Sequence, residues 1–465
     1  MAELAMVPRW AEVARHRRVH RLGLLQGTAL FVGAVLGPGV LALPRLAAAA
    51  AGPASLITWG ALLALSVPVS LTFAALGARY PDNGGVARFA GSAFGGHTAA
   101  AVGWWFYLAV PIGVPAGALI GGEYVAVSLG LGESAIAPIS CGLVVAAFAA
   151  NYVGLRLSGR VQLLLVILLV VLLVAAVAAA APSVEAANFT PFAPHGWHGV
   201  VDAAGVLFFA FAGWEAASHL SGEFAQPRRH LPWATTLTVI VVGVLYLGLA
   251  VTTIGVLGGR AAFSAVPLTL LLAHGIGDAA RTITAVAAVF LSFGAINTYV
   301  AGGARLGASL AQHGALPRVL ARGGGAGEVP RRSLTVLAVL AGLVTMTTVV
   351  YRVDLDTLMR ATSACLAAVT VIGTAAATRL LPRRSAGRLV AMAATAFAGA
   401  VLASCGIFLF VPALLGLIAV MVSGAARRPG RRPAPTRAAI AAAPAAPVGP
   451  AGRSATGPAR ERITT

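Results

Sequence analysis

From Val161 to Ala180 the sequence reads VQLLLVILLVVLLVAAVAAA, twenty residues without a charged side chain. At 1.5 Å of rise per residue a helix of that length is about 30 Å long, the thickness of the hydrocarbon core of a bilayer. Lipid offers no water to backbone N–H and C=O groups, so a spanning segment has to satisfy them within itself, and a helix does so. Apolar runs of this kind recur along all 465 residues, each closed by Arg, Pro, Gly or Asp. Hydrophobic residues make up 58% of the chain and charged residues only 10%, with a mean hydropathy of +0.88. No water-soluble domain buries that much apolar surface, so the sequence predicts an all-α integral membrane protein.

Twelve spans are predicted, at 24–49, 53–77, 98–128, 136–155, 161–181, 200–222, 233–257, 281–307, 333–351, 356–379, 388–404 and 406–424. The last two are the least distinct, because only Ser404 and Cys405 lie between them, with the glycine of GIFLFVP as a turn. The basic leader from Arg9 to Arg21 precedes the first span without a short core and small-residue cleavage site, so it is expected to be retained. With the N-terminus in the cytoplasm, the outward ends carry only Arg45, Arg260, Arg281, Arg352 and Arg360 of the 33 basic residues. That asymmetry orients a multi-pass protein of a bacterial-type cytoplasmic membrane, with both termini inside. It also accounts for the net charge of +19 without a nucleic-acid partner. Cys141, Cys365 and Cys405 sit in separate apolar segments with no metal-ligand spacing, so neither a disulfide framework, a metal nor a cofactor is expected.

The first span is interrupted by GAVLGPGVLALP, Gly33 to Pro44. A proline in a helix interior removes a donor, clashes with the preceding turn and costs roughly 3 kcal/mol. The sixth span carries its own interruption, FFAFAGWEAASHL, Phe208 to Leu220, with Gly213 and the ionisable Glu215 at membrane depth. Spans one to five and six to ten superpose as two five-helix units, and an odd number of spans makes the second unit enter from the opposite side, a 5+5 inverted repeat. The expected divisions are a basic N-terminus at 1–22, repeats at 23–181 and 182–379, two further spans within 380–425, and a Pro-, Ala- and Arg-rich tail at 426–465 that reads as disordered. Paired interruptions in matching helices point to a transporter binding site near the bilayer midplane. Freed amides at a half-helix N-terminus can hold a carboxylate and freed carbonyls an ammonium group, which together suit a zwitterion.

At these residues the sequence resembles the amino acid–polyamine–organocation (APC) superfamily, and within it the bacterial branch that exports methionine and branched-chain amino acids. The likeness includes YPDNGGVARFAGSAFGG after the second span, GWWFYLAVPIGVPAGAL in the third and GWEAASHLSGEFAQPRRHLPWAT across the sixth and its loop, over about residues 20 to 425. The resemblance implies the APC fold with broken helices one and six rocking against a scaffold of the third, fourth, eighth and ninth. It implies that the backbone of Leu36, Gly37, Gly39 and Val40 faces a substrate carboxylate and that Val35 offers a carbonyl to the amino group. Phe209 falls where the family has an aromatic gate, with Ala212 and Gly213 at the unwound segment. Many members have Ser or Thr where this chain has Pro38, which supplies neither hydroxyl nor amide hydrogen. A plain proline kink in a packed helix is the alternative reading of that motif.

Glu215 has two readings, an acceptor that holds freed amides at the break and a proton carrier. His219 and Glu223 follow at four-residue spacing on the same helical face, and His219 reads either as a titrating group or as a helix-end hydrogen-bonding group. Glu123 in the third span lies near its outer end, where it either pairs with Arg45 or faces the outer vestibule. Some proton-coupled relatives carry a lysine in the fifth span, whereas this chain contains no lysine; sodium would have only Ser292, Asn297 and backbone carbonyls. No metalloprotease, nucleophile-elbow or phosphate-loop motif supports an enzyme. The sequence therefore points to a secondary amino acid transporter, in its sharper form an exporter of methionine, leucine, isoleucine and valine, with proton-coupled uptake as the alternative and a membrane enzyme or sensor as the remote one. Substrate and lipid are the partners it implies, and the oligomeric state is left open.

Overall fold

The computed structural model describes residues 23–80, 85–154, 159–211, 213–214, 224, 226–324 and 328–426. Fifteen α-helices and no β-strand occur among them. In chain order they are α1 Leu24–Val35, α2 Gly39–Ala51, α3 Ser55–Arg79, α4 Gly85–Phe94, α5 Gly96–Ser128, α6 Ile136–Tyr152, α7 Gly159–Ala180 and α8 Gly196–Phe211. The remainder are α9 Pro227–Leu257, α10 Pro267–Ile276, α11 Ala279–Gln312, α12 Arg331–Tyr351, α13 Leu355–Leu380, α14 Ala386–Ser404 and α15 Phe410–Ala426. Nine stretches among the described residues are long and apolar enough to cross a membrane, the first of them running through both α2 and α3. Shorter apolar helices lie at Leu24–Gly33, Gly196–Phe211, Pro267–Ile276 and Gly406–Val422.

Two helices fall outside the predicted spans. Residues 85–94, expected to belong to a connection, form α4, whose buried Val86 and Phe89 pack it inward. Residues 267–276 form α10, started by Pro267 and ended at Gly277. Both are about ten residues long, too short to cross the hydrocarbon, which is why a search for spanning runs passes over them. Between α14 and α15 the backbone makes one tight 3₁₀ turn over Gly406–Leu409, entered at Gly406.

Several hydroxyl groups inside these apolar helices are satisfied by the preceding turn of their own helix. Ser66 donates to Leu62 O at 2.9 Å, Thr72 to Pro68 O at 2.7 Å and Thr362 to Leu358 O at 2.8 Å. This local bond lets a polar residue reside in a dry environment without a distant partner. On α7, Leu164, Ile167, Leu168, Val171 and Val174 are each at least 50% exposed and share one face, the face that lipid would cover.

The long helix α5 is the centre of the packing and touches α4, α6, α11, α12, α13 and α15. Close approach is bought with glycine: a β-carbon on Gly122 would sit 2.3 Å from Ser140 Oγ and 2.7 Å from the Ile136 carbonyl of α6. Without a hydrophobic drive between helices in lipid, such backbone proximity supplies the dispersion contacts that hold them. Around the other side, α1 packs on α7 and α9, α2 on α8, and α3 on α8 and α9. The two interrupted segments thus meet the rest of the bundle near one another.

Candidate functional site

Helix α1 ends at Val35 because Leu36 turns to φ −77°, ψ 51°, with its N–H still bonded to Val32 O at 2.7 Å. Pro38, with φ −60° fixed by its ring, starts α2, and the ladder resumes when Val40 N–H reaches Gly37 O at 3.2 Å and Leu41 N–H reaches Pro38 O at 3.0 Å. Among the described residues, no backbone hydrogen bond takes the N–H of Gly37 or of Gly39. The positive end of α2 therefore presents free donors at the interruption.

The second interruption follows Phe211, the last residue of α8. Gly213 there has φ +141°, a conformation open to glycine and costly for residues with a β-carbon. Ala212, Glu215, His219 and Glu223 lie outside the described residues.

A cavity with about 630 Å³ of empty space, the space at its mouth included, opens against the first interruption. Val35, Gly37, Pro38 and Gly39 form one wall, and Phe209 with Ala210 of α8 form the next. Helix α5 contributes Phe106, Gly113 and Gly117, α11 contributes Ile296 and Tyr299, and α13 contributes Thr362 and Leu366. None of the described lining residues is charged. Thr362 spends its proton on Leu358 O, so the wall it offers is mostly apolar.

Gly39 has a steric role as well as a backbone one. A β-carbon there would lie 3.0 Å from Leu43 Cδ1 and 3.2 Å from Phe209 Cδ1, so its absence lets the Phe209 ring lie against the break. Of the residues singled out from sequence, Val35, Gly37, Pro38, Gly39 and Phe209 are brought together at the cavity. Leu36 and Val40 are 1% and 0% exposed within the main apolar core, away from the cavity lining, and Gly213 is half-buried outside it.

Ion pairs brace this region. Arg45 of α2 meets Glu123 of α5 in a two-pronged bond of 2.9 and 3.1 Å, one of the two arrangements left open by the sequence. Arg360 of α13, which sequence treated only as an outer-end charge, is 9% exposed. Its Nε donates to Asp356 at 2.6 Å, and its two terminal nitrogens donate to Asp202 of α8 at 2.9 and 3.1 Å. The signal was present as one cation and one anion within predicted spans, but 158 residues separate them. Asn297 joins α11 to α6: Asn151 Nδ2 donates to its Oδ1 at 2.7 Å and to its carbonyl at 3.2 Å. Among the described residues no three His, Cys, Asp or Glu side chains cluster as metal ligands.

Tyr246 of α9 escaped the sequence reading altogether. Its hydroxyl donates to Val35 O at 2.9 Å and lies 3.4 Å from Ala210 O. Trp59 and Phe211 enclose its ring at centroid distances of 5.1 and 5.6 Å. One aromatic residue in a long apolar helix carries no mark that it reaches both interruptions.

Comparison with known proteins gives a consistent picture. A family model described as amino acid permease matches residues 22–440. The chain is 34% identical over 391 residues to an uncharacterized amino acid permease, YecA, of Bacillus subtilis, covering 84% of this chain and 92% of that one. It is 32% identical over 349 residues to the L-methionine/branched-chain amino acid exporter YjeH of Escherichia coli, covering 72% and 79%. Similarity also extends, at 26% over 254 residues, to the branched-chain amino acid permease BcaP of Bacillus subtilis, covering 51% and 55%.

Proposed function

This chain belongs to the amino acid permease family, a multi-pass membrane protein of amino acid transport, and from that premise we propose that it exports hydrophobic amino acids across the cytoplasmic membrane by alternating access. The observation that carries the reading is a cavity with no charge among its described lining residues, set against a helix break where the Gly37 and Gly39 amides have no backbone partner among the described residues. The Gly37 and Gly39 N–H groups take the substrate carboxylate and the Val35 carbonyl faces its ammonium group. The apolar walls of α5, α11 and α13 take an aliphatic or thioether side chain, since a charged side chain would be stranded there without a partner. The likeness to a methionine/branched-chain exporter supports that substrate class and the outward direction.

The architecture proposed with it has twelve spans in a 5+5 inverted repeat, the two breaks at matching helices, two further C-terminal spans and both termini in the cytoplasm. Reporter fusions at either terminus test that orientation. For the activity, cells loaded with methionine- or leucine-containing dipeptides are followed for amino acids appearing outside, with and without the gene. Faster appearance supports export. No change in efflux, together with accumulation of labelled leucine inside, makes the protein an importer on the same fold.

A further inference from the structure

We propose that Tyr246 is a positioning residue for the substrate's ammonium group: its single hydroxyl holds the Val35 carbonyl in place and couples it to the end of α8. The inference rests on the transport reading above and concerns a residue that does not line the cavity.

Val35 closes α1, and its carbonyl would ordinarily accept the amide of Gly39, four residues on. Pro38 prevents the helix from continuing, and among the described residues no backbone amide takes that oxygen. Tyr246 takes it instead, at 2.9 Å. A carbonyl oxygen has two lone pairs, so the tyrosine occupies one and leaves the other for the cavity that Val35 lines. The same hydroxyl stands 3.4 Å from Ala210 O, the penultimate residue of α8 and another lining residue. One side chain on a third helix thus touches the broken end of α1 and the end of α8 at once.

The ring is fixed as firmly as the hydroxyl. Tyr246 is 1% exposed and Trp59 is 1% exposed. Trp59, Phe211 and Tyr246 form a closed trio, with Trp59 to Phe211 at 6.0 Å, Trp59 to Tyr246 at 5.1 Å and Phe211 to Tyr246 at 5.6 Å. Such packing denies the ring other rotamers, so the hydroxyl stays aimed at the break. A donor held this way orients the acceptor it binds, and the Val35 carbonyl is the atom available to a bound ammonium group.

The test is Y246F in proteoliposomes, with flux expressed per molecule of reconstituted protein. Phenylalanine keeps the ring trio and removes only the donor. The expected result is a KM for leucine raised roughly 5- to 100-fold, the span that one lost hydrogen bond at a buried group produces. Methionine and valine should lose affinity by the same factor, because the Val35 carbonyl faces the part common to all amino acids. A purely structural tyrosine would lower the amount of folded protein and leave KM untouched. Where too little protein reaches the membrane for flux, leucine-dependent thermal stabilisation of the purified folded fraction reads the same affinity. Wild-type flux with an unchanged KM in Y246F overturns the Tyr246 proposal alone. A wild-type protein that neither moves leucine nor is stabilised by it overturns the transport reading and this proposal together.

Discussion

Replacing Gly117 with alanine should make the protein more stable and a poorer carrier of long substrates at once. A β-carbon at that position would rest 3.4 Å from Ile296 Cγ1 and 3.4 Å from Pro38 Cγ, with Ile296 Cδ1 at 3.8 Å. These are ordinary contact distances, so nothing has to move. Alanine is the better helix former by about 1 kcal/mol, and a newly buried methyl adds roughly 0.8 kcal/mol, so the fold gains about 1–2 kcal/mol. The methyl fills space between the α1–α2 break and α11 where the substrate side chain is proposed to lie. Losing room for one methylene costs a ligand about 1–3 kcal/mol, or 10- to 200-fold. Methionine, the longest of the proposed substrates, should lose far more than valine, the shortest. The assay is kcat/KM for both amino acids in proteoliposomes, beside thermal unfolding of the purified protein in detergent. A rise in melting temperature with an unchanged methionine-to-valine ratio would refute the placement of the side chain between Pro38 and Ile296.

Other expectations follow from the same geometry. Gly39→Val drives its side chain into Leu43 and Phe209, which lie 3.0 and 3.2 Å from the β-carbon position alone; flux should disappear while the protein still reaches the membrane, as read by immunoblot and transport together. Arg360→Met removes both ion pairs and should cost about 2 kcal/mol in unfolding experiments, since the Asp202 and Asp356 side chains it leaves, 59% and 37% exposed, keep their solvation. Asp202→Asn should cost nearer 1 kcal/mol, because Asp356 retains the guanidinium and the Asp202 carbonyl bond at 2.9 Å survives the change.

The helices and their interruptions were legible because both are local matters. A run such as 161–180 has to be helical in lipid whatever its neighbours do, and Gly37, Pro38 and Gly39 end α1 through the geometry of the residues themselves. Short helices resisted the same logic: α4 and α10 owe their place to contacts with α5 and α7, which no span-length criterion detects. Four residues of the sixth-span motif, Ala212, Glu215, His219 and Glu223, lie outside the described residues, so the part of the site that turns on them stays as the sequence drew it.

Membrane embedding, helical character and the position of the first break were thus determined by the sequence alone, through segment hydropathy and backbone chemistry. The tertiary structure decided which faces meet. Gly113 and Gly117 of α5, Ile296 of α11 and Thr362 of α13 become cavity walls, Tyr246 becomes the donor to Val35, and Arg360 finds Asp202. The physical reason is that in a bilayer an apolar side chain is equally at home against lipid or against protein. Hydropathy that marks a helix as membranous therefore leaves its inward face unmarked, and only packing distinguishes a lipid-facing leucine from a wall of the site.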